Sequence, residues 1–368
     1  MKIPTQSPRH HSRSLGAHWI HTMCGAPLEN HWINITDDKV ESVSKKPACP
    51  LTLHFGENTI IPGMVNSHAH LELSQLPAPL DVPSRSITDW VDSLLVFRRS
   101  AGYSAEQGIQ QAMHRPEFSE STIAVADIVP PRGGTAAGSL SSAVRHIPFT
   151  ELIAWRRELV PPTLPCTFGL SPHAPHTVCP ELLEKAIDQK IPIAIHLAET
   201  LEELQLLRYH TGSLLEMMRR ADPGYDPKSV LVGKRPMDYL QLLSAAPSVL
   251  VVHGNYLDDE ELRFLSAHRE TMSVVYCPRS HAYFRHSAYP LQKMLDYGVR
   301  MLLGTDSLAS VPDLSLVEEI RFVLKHHSSI SSEVIYGMGT REGAAALRLL
   351  PEGFGTIQTG SPARFAVL

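Results

Sequence analysis

The sequence predicts an α/β chain: a (β/α)8 barrel of the TIM type, with a small β-sandwich-like domain built from the N- and C-terminal segments. Three observations predict it. Eight apolar runs of strand length lie at 64–66, 123–129, 149–153, 167–171, 193–196, 249–253, 272–277 and 299–303. Helical stretches with start signals separate them, which is the pattern of parallel βαβ units. Residues 1–60 and the tail from Gly353 are polar and punctuated instead. The expected division is therefore 1–61 and 351–368 for the small domain and 62–350 for the barrel.

In chain order, 32–35 and 51–55 are the strand candidates of the N-terminal piece, and Pro62-Gly63 ends it. After Ser86 a helix carries Trp90 and Phe97, seven apart, as core residues rather than a stacking platform. Pro180 stands at a first helical position and opens PELLEKAIDQK. Thr200 with Glu203, and Asp258 with Glu261, have capping-box spacing, each just after a strand. Residues 204–247 are too many for one crossover helix, and turn residues near 222–236 predict a helical insertion. Residues 313–350 read as two helices, with Glu318, Glu319 and Arg321 on a solvated face. The tail 353–368 reads as a strand or two that pair with the N-terminal piece.

Composition excludes several classes. A net charge of −5 offers no basic surface for nucleic acid and no polybasic membrane anchor. No apolar run approaches the ~18 residues of a spanning helix, and the polar start has no signal-peptide core, so a cytoplasmic location is expected. Five scattered cysteines (Cys24, Cys49, Cys166, Cys179, Cys277) form no C-x-x-C pair, which argues against a disulfide framework or a thiolate metal site.

The chain holds 20 histidines, so an isolated H-x-H is expected on the order of once by chance and its context must decide. PGMVNSHAHLELS at 62–74 ends a strand, and period two puts His68 and His70 on one side. His196 closes the run 193–196, with Glu199 three residues on; His253 closes 249–253; Asp306 follows 299–303. Each feature alone is more often structural. Together, four of eight strand ends deliver imidazoles or carboxylates to the C-terminal rim, where barrel enzymes build their sites. Neutral imidazoles with a carboxylate suit a divalent ion with an open position, Zn²⁺ first and Fe²⁺ second.

PGMVNSHAHLELS, HLAET, VVHGNYL and LGTDSLAS resemble the amidohydrolase superfamily, in its branch of hydrolytic deaminases of the cytosine, guanine and adenosine type. The resemblance spans about 60–310. It implies that His68, His70, His196 and Asp306 bind one metal and that Glu199 and His253 form the acid–base pair. HLELS at 70–74, SPHAP at 171–175, HGNYL at 253–257, YCPRS at 276–280 and TDSLAS at 305–310 resemble the aminodeoxyfutalosine deaminases of the futalosine route to menaquinone. The chain departs from that subgroup at His281, where Asn is usual, at His176, where Tyr is common, and after Ala363, which lacks the usual acidic residue. Two-metal members use a carboxylated Lys or a Glu at the fourth strand; 166–173 contains neither, so a single ion is expected.

The expected chemistry is hydrolytic deamination. A metal held by three imidazoles and a carboxylate acidifies water toward a pKa of ~7. Glu199 is the candidate to protonate the ring nitrogen and then the leaving amine. His253 supports the nucleophile and the tetrahedral adduct, and Asp306 ligates and receives a proton. Substrate contacts stay open. Glu72 either reads a polar edge of the substrate or buttresses the first strand. His173 either touches a ring or ribose or is structural. Arg279, beside Ser280, either pairs with a substrate carboxylate or forms a surface salt bridge. His10-His11 and His326-His327 are expected to be exposed and without function. The first expectation is deamination of an aminated purine nucleoside, 6-amino-6-deoxyfutalosine. The second is deamination or dechlorination of another heterocycle (guanine, adenosine, methylthioadenosine or a triazine). The third is a non-catalytic metal-binding barrel, which the complete residue set disfavours. The expected partner is a small-molecule substrate, with a homodimer left open.

Overall fold

The computed structural model describes residues 12–131, 144–165 and 168–368. Cys166, Thr167 and the His10-His11 pair lie outside the described residues. Five strands come before the barrel: β1 (Ser12–Ile20), β2 (Leu28–Thr36), β3 (Lys39–Ser44), β4 (Thr52–His54) and β5 (Thr59–Pro62). Together with β14 (Phe365–Val367) they form one six-stranded mixed sheet in the order β14-β5-β1-β2-β3, with β4 also paired to β1. The tail thus joins the N-terminal piece through antiparallel β14–β5 pairing, Phe365 opposite Pro62. Ala17, Ile20, Ile33, Ile35, Val40 and Ile60 pack its core with Ile357 and Ala363 from the tail.

Eight strands make the second sheet: β6 (Met64–Ala69), β7 (Thr122–Val129), β8 (Arg145–Leu152), β9 (Gly169–Pro172), β10 (Ile193–Leu197), β11 (Val249–His253), β12 (Met272–Tyr276) and β13 (Met301–Leu303). They run parallel in sequence order, each beside its predecessor. Every expected barrel run overlaps one of them. β7, β10, β11 and β12 are buried along their whole length, as strands are when both faces are covered.

The circle closes where the chain beyond β13 meets β6. The amides of Thr305 and Asp306 both donate to the His68 carbonyl at 3.1 Å, and the His70 amide donates to the Asp306 carbonyl. Asn66, fully buried, donates its amide to Thr305 Oγ1 at 2.8 Å and accepts from the Thr305 amide at 3.2 Å. Gly304 makes this approach feasible: a Cβ there would lie 2.9 Å from both the Cβ and the carbonyl oxygen of His68, forcing the seam apart. The strand pattern therefore fixes the distance between the first and last strand ends before any side chain is considered.

Around the barrel, the helix Pro180–Asp188 begins at its proline and the helix Asp259–Ala267 has a full Asp258/Glu261 capping box. Four helices fill the stretch after β10: Leu201–Tyr209, Ser213–Ala221, Pro227–Val230 and Pro236–Leu243. Trp90 and Phe97, on the helix Ile87–Arg98, pack partly buried against the Leu71, Leu73 and Leu94 cluster. Residues 313–350 hold three helices rather than two: Leu316–His326, Ser332–Met338 and Arg341–Ala346. Ser331 caps the second, and Gly339-Thr340 separates it from the third. Glu319 is not on a solvated face. Leu316, Glu319, Ile320 and Val323 form the buried i, i+3, i+4, i+7 stripe of its helix, while Glu318 and Arg321 pair on the exposed side. His326 is exposed, but His327 is half-buried, its Nε2 at 3.4 Å from the Tyr276 hydroxyl. Among the described residues no helix is long and apolar enough to cross a membrane.

Candidate active site

Strand ends bring His68, His70, His196, His253, Asp306 and Glu199 to one rim of the barrel. His68 lies inside β6 and His70 just beyond it; their rings meet edge to face with centroids 4.9 Å apart. His196 is the penultimate residue of β10, and its ring lies 5.5 Å from that of His253, the last residue of β11, which stands opposite Leu197. Two overlapping triads of ligand atoms result, His68/His196/His253 and His68/His70/Asp306, each with all atoms within 4.8 Å of one another. His70 Nε2 stands 3.4 Å from His196 Nε2, and Asp306 Oδ1 stands 3.7 Å from His68 Nε2 and 3.9 Å from His70 Nε2.

This donor set fits a metal ion. Ligands about 2.1 Å from a tetrahedral centre lie roughly 3.4 Å apart, close to the spacings found. Both ring nitrogens of His68 are buried without a hydrogen-bond partner, a costly arrangement for a polar group unless something else satisfies it. His196 Nδ1 is 3.0 Å from the His173 carbonyl, which only accepts, so Nδ1 carries the proton and Nε2 offers its lone pair. Burial lowers the pKa of His70, His253 and His196, the last to about 3, so these rings are neutral at pH 7, as ligation requires.

Two carboxylates sit in this rim with opposite tendencies. Burial raises the Asp306 pKa, but the surrounding imidazoles outweigh it and hold the group well below its usual range. Its Oδ2 also accepts from Ser280 Oγ at 2.5 Å and Ser310 Oγ at 3.1 Å. Glu199 is pushed well above the usual range, first by burial, then by the negative charges of Asp306 and Glu203. Its Oε1 is 3.5 Å from His253 Nε2. Ala198, His253 and Asp306 all have positive φ, of 53°, 68° and 63°. Left-handed non-glycine residues gathered at one rim are the kind of strain that functional sites retain.

Of the four expected substrate contacts, His173 and Ser280 lie at this rim, while Arg279 and Glu72 are engaged by other side chains. The Arg279 guanidinium is committed to the protein: Nε donates to Glu319 Oε1 at 2.7 Å, and Nη2 donates to Asp313 Oδ1 at 2.8 Å and to two carbonyls. It is a largely buried brace between the short helix Pro278–Tyr283 that follows β12 and the helix Leu316–His326, neither a surface salt bridge nor a free partner for a substrate carboxylate. Ser280 faces Asp306, as above. Glu72, 1% exposed, accepts from Arg98 Nε and Nη2 at 3.1 and 2.5 Å and from the Tyr103 hydroxyl, so its oxygens are occupied. His173 stays at the site, its ring 5.1 Å from that of His196 and its Nδ1 on Thr177 Oγ1. His176 and His281 are buried with pKa lowered to about 4 by desolvation.

Several contributors were not expected from the sequence. Asp127 on β7 accepts from the Leu71 amide at 2.9 Å and pairs with His146 Nε2 at 2.7 Å, holding the turn that follows His70. Asn255 Nδ2 donates to the Glu199 carbonyl at 2.8 Å. Only Glu203 carried a signal, its capping-box spacing from Thr200.

Residues 163–368 match the amidohydrolase family. A 5-methylthioadenosine/S-adenosylhomocysteine deaminase of Pyrococcus furiosus is 27% identical over 370 residues, covering 91% of this chain and 81% of the relative. Six further proteins with that name match over only 35–48% of their own length. An aminodeoxyfutalosine deaminase of Deinococcus radiodurans is 28% identical over 320 residues, covering 77% and 72%. In fold, the chain is similar to the aminofutalosine deaminase of Helicobacter pylori crystallised with methylthio-coformycin, with a TM-score of 0.79 at 21% identity, covering 96% of this chain and 91% of that one.

Proposed function

The chain belongs to the amidohydrolase family and is a hydrolase acting on C–N bonds, and from that premise we propose that it deaminates a 6-aminopurine nucleoside with one divalent ion, zinc first. The observation that carries this reading is the convergence of His68, His70, His196 and Asp306 beside the Glu199–His253 pair. In our reading the first four hold the ion. When bound, the ion supplies the positive charge that acidifies water toward a pKa of ~7.

The residues divide the remaining work. Glu199, held protonated by its buried setting, donates to the purine ring nitrogen beside the amino-bearing carbon, which makes that carbon electrophilic. Water adds there. The same carboxylate, now ionised, collects a proton from the adding water and passes it to the amino group, which leaves as ammonia. His253 hydrogen-bonds the incoming oxygen and steadies charge in the adduct. Asp306, kept ionised and aimed by Ser280 and Ser310, accepts the second proton of the added water as the carbonyl forms, and that proton returns to Glu199 to restore both carboxyls.

For the substrate we propose 6-amino-6-deoxyfutalosine, supported by the relative of that name and by the motifs HLELS, SPHAP and TDSLAS. Arg279 plays no part in this assignment, because its donors are engaged by Glu319 and Asp313. That commitment, with the methylthioadenosine/S-adenosylhomocysteine deaminase relatives, favours deamination of those nucleosides as the second reading. Ammonia release by metal-loaded protein from a panel of 6-aminopurine nucleosides tests both. Turnover of the carboxylated nucleoside alone supports the first, and turnover of methylthioadenosine or S-adenosylhomocysteine alone supports the second. Silence from a fully metal-loaded protein across the panel would remove the deaminase reading.

A further inference from the structure

Two capping boxes follow barrel strands, and they are built differently. At Asp258 the box is complete: Glu261 Oε2 reaches back to the Asp258 amide at 2.8 Å, Asp258 Oδ1 accepts from the Glu261 amide at 3.0 Å, and Glu261 Oε1 accepts from the Met237 amide at 3.1 Å, away from the catalytic rim. At Thr200 only half of that pattern is present. Thr200 Oγ1 accepts from the Glu203 amide at 3.0 Å, but the Glu203 carboxylate passes over the Thr200 amide. It accepts instead from Ala198 N at 2.8 Å and Glu199 N at 3.0 Å, one oxygen on each.

The backbone makes this feasible. Ala198 has φ of 53°, which turns two successive amides toward one point and forms a small anion-binding concavity. Here the acceptor is internal, the 3% exposed Glu203 carboxyl. The opposite edge of the same segment is held too. Gly254 N donates to the Leu197 carbonyl and Tyr256 N to the Ala198 carbonyl, both at 3.1 Å, and Asn255 Nδ2 holds the Glu199 carbonyl. Those three donors follow His253 directly. Residues 197–199 are therefore clamped between the chain after His253 and the Glu203 carboxylate.

We propose that Glu203 is a positioning residue: seated on the amides of Ala198 and Glu199, its carboxylate sets where the Glu199 side chain stands against His253. Helix capping alone needs only the N-cap amide, which Glu261 Oε2 takes and Glu203 leaves for the two amides before it. The catalytic half of this inference rests on the deaminase reading, but the clamp does not.

The test compares Glu203→Gln with Glu261→Gln, the same change in the complete box, in full-length metal-loaded protein. Gln can accept through one oxygen only, so one of the two amides loses its partner. Two readouts are taken: hydrogen exchange at the Ala198 and Glu199 amides, and kcat with KM. Expected for Glu203→Gln is exchange at least tenfold faster at those amides, with kcat down tenfold or more, KM within twofold and metal content unchanged. Glu261→Gln keeps kcat within twofold. If Gln at this position blocks folding, Glu203→Asp, one methylene too short to reach both amides, is read by the same measures. Unchanged exchange overturns the clamp. Faster exchange with unchanged kcat, or a loss traceable to missing metal, overturns the positioning role. Should the wild-type protein show no deaminase activity, the functional reading and the positioning role fail together, while exchange still decides the clamp.

Discussion

The Asp306 corner and the Glu199 corner occupy the same barrel rim and each buries a carboxylate, yet their surroundings differ. At Asp306 the neighbours are imidazoles and two hydroxyls that donate to it. At Glu199 the carboxyl has one imidazole at 3.5 Å, and the other charges acting on it are negative. The amides that might have eased it, including its own, are taken by Glu203. One corner therefore favours the anion and the other favours the protonated acid. Identical chemistry is steered to opposite protonation states by where the donors point, which is the separation that acid–base catalysis requires.

The most drastic way to break the contrast is to remove the anion. Asp306→Asn is expected to leave metal below about a tenth of an equivalent, by plasma emission analysis, and activity down on the order of 10³-fold. Next, Glu199→Gln should keep its metal and lose turnover by a factor on the order of 10² or more, since proton transfer is lost while ligation is not. Metal retention with full activity would remove Glu199 from the chemistry. Ser280→Ala deletes one donor to Asp306 Oδ2 and should weaken metal affinity about tenfold in chelator competition. Arg279→Met sharpens the contrast from outside. It leaves Glu319 buried without its cation, so stability in urea should fall by about 3 kcal/mol, while kcat of the folded, metal-loaded protein stays within about threefold.

The smallest effect concerns pH. The Glu199 carboxyl is raised on folding, so its contribution to stability is fully present below the unfolded value of 4.5 and is lost as pH rises through the folded value. Glu199→Gln escapes that loss. Metal-free Glu199→Gln is therefore expected to match the parent near pH 4 and to exceed it by about 1–3 °C in Tm at pH 7, by calorimetry. A parent that outlasts the variant at pH 7 would contradict the raised value.

How much of this was legible in the sequence differs by element. The eight strands and the residues that end them could be read because a buried parallel strand is a continuous apolar run, so the polar residue at its end stands out, as His196 and His253 do. Residues that act across the chain could not be read. Asn66 stitches a partner 239 positions away, and Asp127 holds a turn 56 positions earlier. Arg279 and Ser280 suggested substrate contacts because they follow a strand, but β12 delivers Ser280 to Asp306 and Arg279 to Glu319. Glu319 itself was readable, since it stands on the i, i+3, i+4, i+7 stripe of Leu316–His326, but a charge there looks like solvated surface until its cation is known. Glu203 had the right spacing for a cap, and nothing in that spacing reveals that its carboxylate goes two residues further back.

The closing seam has a consequence for biosynthesis. His68 and His70 leave the ribosome more than two hundred residues before Asp306, and β13, which leads into Asp306, is the last strand to be laid into the circle. Until it docks on β6 through Thr305 and Asn66, the early histidines face an open sheet edge, and the fourth donor is still being translated. Under the ligand set proposed above, Asp306 joins the histidines only at the end of synthesis, so nascent chains released before residue 306 are expected to hold the ion less tightly.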